Sequence, residues 1–156
     1  MYRQPHRVAA VLSHLRPQRA FGSLPTGAVG EAVRTVSDDN TAIAAGSGSL
    51  RVFATPALVA LMEEAACAAV LPFLEAGETT VGTGISTSHI AATAVGSSVR
   101  ARATVTKVDG KSLAFGLVAH DSTGALVGEG THTRAVLGAE RFMAKLGKRA
   151  QTGLPE

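Results

Sequence analysis

The chain has 156 residues, 46% of them hydrophobic and 17% charged, with a formal net charge of +3. That length suits one domain able to bury about 70% of the surface its unfolded form exposes, with no need of a disulfide or a metal, and the single cysteine excludes an internal bridge. The same composition excludes a disordered chain; with no tryptophan, one tyrosine and five phenylalanines, the core has to be built mainly from Ala, Val and Leu.

Positive charge is concentrated at the two ends. Residues 1–30 carry Arg3, Arg7, Arg16 and Arg19 and no acid. Residues 31–140 carry seven bases against eleven acids, and residues 141–156 carry Arg141, Lys145, Lys148 and Arg149 against Glu156. An acidic body between basic ends argues against nucleic-acid binding, which needs a basic patch on the folded part. Residues 1–29, with Pro5, Pro17 and Pro25 among the arginines, read as a flexible basic arm. Its apolar run Val8–Leu12 is too short for a secretory signal. No apolar run approaches the ~20 residues of a membrane span, so a cytoplasmic protein with no membrane partner is expected. The folded domain is expected over residues 30–148, and a tail over 149–156.

Glu31–Ser37 alternates loosely, Asp38-Asp39-Asn40 signals a turn and Thr41–Ala45 is a short apolar run, which together predict a hairpin. Gly46-Ser47-Gly48-Ser49 then predicts a flexible connection. Thr55-Pro56 is a helix start: threonine is able to cap free backbone N–H groups, and proline at the first helical position gives up an N–H that would be unpaired anyway. The helix is predicted over Pro56–Leu71. Between Ala57 and Val70 only Glu63 and Glu64 are not apolar, so this helix lacks a polar face and is expected to be buried nearly all round.

Thr79–Thr93 follows as an extended Thr/Ser/Gly-rich segment, in which Val81, Thr83, Ile85, Thr87 and His89 share one face at period two. Ser98–Val108, Ser112–His120 and Ala125–Leu137 alternate as three antiparallel strands, joined by turns at Asp109-Gly110 and Asp121–Gly124. Glu140–Lys148 predicts a short terminal helix. The fold class is α+β. Its order of hairpin, buried helix and meander resembles the hotdog fold, a long central helix wrapped by a curved antiparallel β-sheet. One sheet cannot cover every side of so apolar a helix, so at least a dimer is expected.

Glu63 and Glu64 are the costly residues, because an ionised carboxylate taken out of water without partners is strongly destabilising. They point ~100° apart around the helix. Two outcomes stand open for each: reaching solvent or pairing with an arginine, or lining a cleft as base or nucleophile. Thr55 stands open between helix cap and site residue, and His89 between packing residue and catalyst. Thr55 and Glu63 are eight residues, about 12 Å, apart along a helix. They cannot touch within one chain, so a site using both needs antiparallel helices from two subunits.

Pairing Ala125 with His120 across Asp121–Gly124 would pair His132 with Leu113 and set His120 and His132 over ~20 Å apart. No spacing of His, Cys or carboxylates matches a metal site, and Gly82-Thr83-Gly84 lacks the third glycine of a dinucleotide loop, so no metal and no cofactor is expected. Cys67, inside the apolar helix, is expected to be inert packing.

Val52–Ala66 (VFATPALVALMEEAA), Gly82–Thr93 (GTGISTSHIAAT), Val108-Asp109-Gly110, Ala119-His120-Asp121 and Gly128–Val136 (GEGTHTRAV) together resemble the hotdog thioesterases related to fluoroacetyl-CoA thioesterase. The resemblance covers residues 30–148. It implies a homodimer with active sites at the subunit interface, and hydrolysis of an acyl-CoA thioester to free acid and CoA. It places the family's catalytic Thr, Glu and His on Thr55, Glu63 and His89, and a substrate-binding glycine and arginine on Gly82 and Arg134. Glu63 would attack the thioester or activate water, Thr55 would hydrogen-bond near the carboxylate or carbonyl, and His89 would activate water or polarise the intermediate. The Gly82 N–H is the candidate oxyanion donor. Lys145 and Lys148, with Arg149, are the candidates for the CoA phosphates. The family's aromatic lid has no counterpart in Ala44–Ser49, so the expected activity is that of a general short-chain acyl-CoA thioesterase. The alternative is a non-catalytic acyl-CoA-binding or oligomerisation module on the same fold, which would bind ligand without turnover.

Overall fold

The computed structural model describes residues 23–151; residues 1–22 of the expected arm and 152–156 of the tail lie outside the described residues. The two strong turn signals act as read. Gly110 (φ +56°) and Gly124 (φ +86°) take positive dihedrals that cost glycine nothing sterically, and Asp121 Oδ1 accepts hydrogen bonds from the Thr123 and Ala125 N–H groups. In chain order the elements are β1 (Val29–Thr35), α1 (Thr55–Val70), β2 (Glu78–His89), β3 (Ser98–Asp109), β4 (Ser112–Asp121), β5 (Leu126–Gly138) and α2 (Ala139–Gln151). The strands form one antiparallel sheet in the order β1-β3-β4-β5-β2.

Period-two alternation turns Val99, Ala101, Ala103 and Val105 of β3, and Leu113, Phe115, Leu117 and Ala119 of β4, into the core, each at most 2% exposed. From α1 come Leu58, Leu61, Met62, Ala65, Ala66, Ala69 and Val70. Gly30 of β1 sets how deep the helix sits: a Cβ there would stand well inside 3.0 Å of the α1 backbone at Ala65 and Ala69. A long helix laid on a curled five-stranded antiparallel sheet is the expected α+β hotdog architecture.

Several local expectations are corrected. The N-terminal hairpin does not form: β1 pairs with β3, Asp38–Asn40 is a 3-10 turn, and Thr41–Ala45 folds as turns with one isolated bridge from Thr41 to Phe53. A five-residue run before a Gly-Ser repeat is too short to hold a ladder, whereas β1 pairs over seven residues of β3. The folded body begins ahead of residue 30, since Leu24 is buried and the Gly27 N–H donates to Val105 O (2.7 Å). In the β4–β5 ladder His132 faces Phe115 and His120 faces Leu126, which sets the histidines five pairs, about 17 Å, apart. Among the described residues no group of His, Cys, Asp and Glu could hold a metal ion.

The predicted helix forms, but it is not buried all round. Ala60, Glu64, Cys67, Ala68 and, just past its end, Leu71 make an exposed stripe at helical spacing, so Cys67 faces outward. With the 3-10 turn that follows it, the segment Thr55–Phe73 is long and apolar enough to cross a membrane by length and composition, contrary to the expectation. Packed on the sheet by seven buried residues, with two glutamates at its centre, it serves as the core helix.

Candidate active site

Between Gly82 and Gly84 the β2–β5 register slips by one residue, and such a bulge changes which side chains face the helix. Before the slip, Thr80 and Gly82 do: Thr80 Oγ1 accepts a hydrogen bond from Arg134 Nε (2.9 Å), and a Cβ on Gly82 would stand 2.5 Å from Glu63 Oε1. After it, Thr87 and His89 do: the Thr87 hydroxyl is 3.3 Å from Met62 Sδ, and His89 Nδ1 is 2.8 Å from Thr55 Oγ1. The expected uniform face from Val81 to His89 therefore holds only past the bulge. The slip puts residues 82 and 89, of opposite parity, on one side of the sheet.

Thr55 occupies the start of α1, but the N-cap is Ala54 and no side chain caps the helix. Its hydroxyl is engaged with His89 instead. Burial holds the His89 ring below its ordinary pKa of 6.5, against a smaller opposing pull from the Ala91 backbone. His89 Nε2 is buried and makes no hydrogen bond of good geometry among the described residues. A cavity of about 230 Å³ opens beside the pair, lined by Val52, Phe53, Thr55, His89 and Ala91 and, from the segment without an aromatic lid, Ser47.

Glu63 belongs to a second cluster. Its Oε1 accepts from Arg134 Nη1 at 3.4 Å, and its side chain stays 39% exposed, open to a reactant. The Arg134 guanidinium is nearly buried, and each of its three nitrogens has a partner. Nε and Nη2 donate to Thr80 Oγ1 and Thr80 O (2.9 and 3.0 Å), and Nη1 lies 3.1 Å from His132 Nε2. His132 is 2% exposed, with Nδ1 2.7 Å from Gly84 O. A carbonyl only accepts, so Nδ1 carries the proton and Nε2 accepts from Arg134. In that neutral tautomer the 3.4 Å approach of Nε2 to Glu63 is no ion pair; the charge that meets Glu63 is that of Arg134. His132 thus ties the carbonyl at the bulge to the arginine that orients Glu63. The sequence reading weighed it only as a metal ligand, though its place two residues before Arg134, on the same strand face, was the available signal. Glu64 turns away and pairs with Arg34 of β1 at the surface.

Within one chain these two clusters stay apart. Thr55 and His89 lie at one end, and Gly82, Glu63 and Arg134 at the other, about 12 Å along α1 and about 23 Å along β2. Lys145 lines a separate cavity near the start of α2, and Lys148 does not line it. A further concavity, of about 510 Å³, includes Ser86, Ser88, Gly116 and Thr131 and contains none of the expected site residues.

A sequence model of the fluoroacetyl-CoA-specific thioesterase family matches residues 36–140. The fluoroacetyl-CoA thioesterase of Streptantibioticus cattleyicolor is 42% identical over 102 residues, 65% of this chain and 73% of the relative. A solved structure of a fluoroacetyl-CoA thioesterase superposes with a TM-score of 0.75 at 33% identity, covering 85% of this chain and 99% of the other. A Thermus thermophilus protein described as a thioesterase superfamily member gives a TM-score of 0.75 at 27% identity, with 83% and 98% covered. Fold and sequence agree: the chain belongs to the fluoroacetyl-CoA-specific thioesterase family and is a hotdog-fold thioester hydrolase.

Proposed function

We propose that the enzyme hydrolyses the CoA thioester of a small acyl group at a site assembled from two copies of the chain. Thr55 and His89 of one copy would face Gly82, Glu63 and Arg134 of the other. The support is that the two clusters lie symmetrically about one place. β2 is an edge strand whose outer side pairs with no other strand among the described residues. A twofold axis passing by Val59 of α1 and Ser86 of β2 exchanges Thr55 with Glu63 and the His89 region with the Gly82 region. Because Thr55 touches His89 and Glu63 adjoins Gly82, one axis serves both exchanges. Pairing two β2 edges about it extends the sheet across the two copies.

In this composite site the cavity beside Thr55 and His89 takes the acyl group, and its 230 Å³ suits a small one. Glu63, oriented by Arg134, meets the carbonyl carbon. By one route its carboxylate bonds to that carbon and the C–S bond breaks; CoA thiolate leaves, and water opens the resulting anhydride. By the other it takes a proton from a water that adds to the carbon, and the tetrahedral intermediate expels the thiolate. Both end in free acid and CoA with the carboxylate restored. The Gly82 N–H is the oxyanion donor, and neutral His89 with Thr55 holds the water or intermediate from the opposite side.

A free-thiol release assay over short acyl-CoAs tests the assignment. Glu63→Gln, Thr55→Ala and His89→Ala are each expected to lose roughly 100-fold or more in kcat, and unchanged turnover in all three would sink it. Mixing Thr55→Ala with Glu63→Gln subunits tests the shared site. Random exchange gives heterodimers with one intact site each, so about a quarter of wild-type activity should return. No return in a mixture shown to exchange would rule the composite site out.

A further inference from the structure

Where β5 runs into α2, a cavity of about 260 Å³ opens between the start of β4 and the first two turns of the helix. Lys111, Arg141 and Lys145 line it, with Val136, Leu137 and Phe142 as an apolar floor, and no acid is among its lining residues. Spacing builds it: Arg141 and Lys145 are four apart and share a face of α2, while the Val136 N–H, donating to Lys111 O at 2.8 Å, holds the third cation against β5. Lys111 Nζ has one carboxylate nearby, Glu78 Oε1 at 3.6 Å. Arg141 and Lys145 have no ion-pair partner among the described residues. Three cations gathered around one concavity, two of them unneutralised, repel one another and are a ready site for an anion of more than one charge.

The position says which anion. Val136 and Gly138 lie two and four residues beyond Arg134 on β5, about 7–13 Å from the Glu63 cluster. β2 residues 82–89 take part in the twofold pairing described above, and residues 78–81 extend past it toward the cavity, Glu78 facing Gly138. A thioester held at Glu63 has an open course along that free edge for the arm that carries it. We infer that the cavity binds the phosphates of the thioester's carrier, which on the reading above is coenzyme A, through Lys111, Arg141 and Lys145. The inference rests on that reading for its ligand but not for its geometry. It adds Lys111 and Arg141 to Lys145, one of the three cations that the sequence singled out, and it leaves Lys148 and Arg149 outside.

The test compares acetyl-CoA with S-acetylpantetheine, which keeps the thioester and its arm and lacks every phosphate. Wild type is expected to prefer acetyl-CoA, and the Arg141→Ala/Lys145→Ala double variant to lower the ratio of the two kcat/KM values by about ten-fold or more. Lys107→Ala, at a surface cation paired with Asp109, serves as the control. A ratio that stays at the wild-type value would overturn the inference. Calorimetry with CoA alone keeps the two readings separable. Weaker CoA binding in the double variant, with no wild-type turnover of either thioester, would retain the cavity and remove the hydrolase reading. CoA binding that the double substitution leaves untouched would do the reverse.

Discussion

Gly82→Ala isolates the placement of Glu63 from everything else. The added Cβ would stand 2.5 Å from Glu63 Oε1, 3.3 Å from His132 Cε1 and 3.7 Å from Arg134 Nη1. Cβ contacts under 3.0 Å essentially do not occur, so the carboxylate has to retreat by at least 0.5 Å. It is the far end of a flexible side chain, and the strand residue itself is exposed and has no left-handed dihedral. Little stability is therefore at stake, and a surface change of this kind stays within about 0.5 kcal/mol. Catalysis is more sensitive, since a misplacement of about 1 Å costs roughly 100-fold. The expected outcome is a kcat about 10- to 100-fold lower with an unchanged urea midpoint. Gly84→Ala, whose Cβ would meet only Thr133 Oγ1 at 3.2 Å, is expected to change kcat little. A Gly82→Ala enzyme within about two-fold of wild type would refute the view that Glu63 works from the position seen here.

Gly30→Ala is the opposite case, because its Cβ would strike helix backbone with no side chain able to yield. It should cost about 3 kcal/mol or more in urea unfolding, and a loss under about 1 kcal/mol would mean that α1 is not seated against β1 as described. His132→Phe keeps a ring beside Phe115 but leaves Gly84 O with only the long 3.5 Å bond from the Thr133 hydroxyl, and takes its acceptor from an Arg134 N–H. A lower kcat with KM largely kept, partly restored in His132→Gln, is the expected pattern; wild-type kcat in the Phe variant would remove His132 from the orientation of Glu63. His89 gives a pH signature. Its folded-state pKa lies below the unfolded value near 6.5, so on acidification the unfolded chain takes up a proton first. Stability should fall as pH drops from about 6.5 to the lowered value, and change no further through this group below it. Urea midpoints from pH 8 to 5 should show that slope in wild type and less of it in His89→Gln; identical slopes would contradict the assigned burial.

How much was legible in the sequence depended on how local the determining interactions are. The meander could be read from alternation and two turns, because Asp109-Gly110 and Asp121–Gly124 specify their own geometry. The first hairpin was misread for the same reason: Asp38–Asn40 is a turn signal wherever it occurs, and only the choice of β3 as the partner of β1, more than sixty residues away, decides what it joins. Glu63 and Thr55 were legible as unusual residues, one a carboxylate in an apolar helix and the other a threonine before proline. The Arg134–His132–Gly84 linkage was not, since it needs the β2–β5 register, and Gly82-Thr83-Gly84 is compatible with a regular strand as well as with a bulge.

That bulge bears directly on the proposed shared site. In an antiparallel pair, directly opposite residues point to the same side of the sheet. Two copies of β2 related by an axis at Ser86 set Thr87 opposite Ile85 and Ser88 opposite Gly84. In a regular ladder the next pair would be His89 with Thr83, and Gly82 would point away from His89. With one extra residue at the slip, Gly82 turns to the side of the sheet that His89 occupies, beside α1, where Glu63 already stands. A regular β2 of the same length, with His89 kept against α1, would turn Thr80 and Gly82 to the far side of the sheet, away from Arg134 and Glu63. Deleting Thr83 leaves Gly82 six positions from His89, on the same side of a strand that no longer slips, so the pairing about Ser86 and the turnover should both survive the deletion. A deletion variant that folds but has lost its activity would show that the two halves meet by some other geometry.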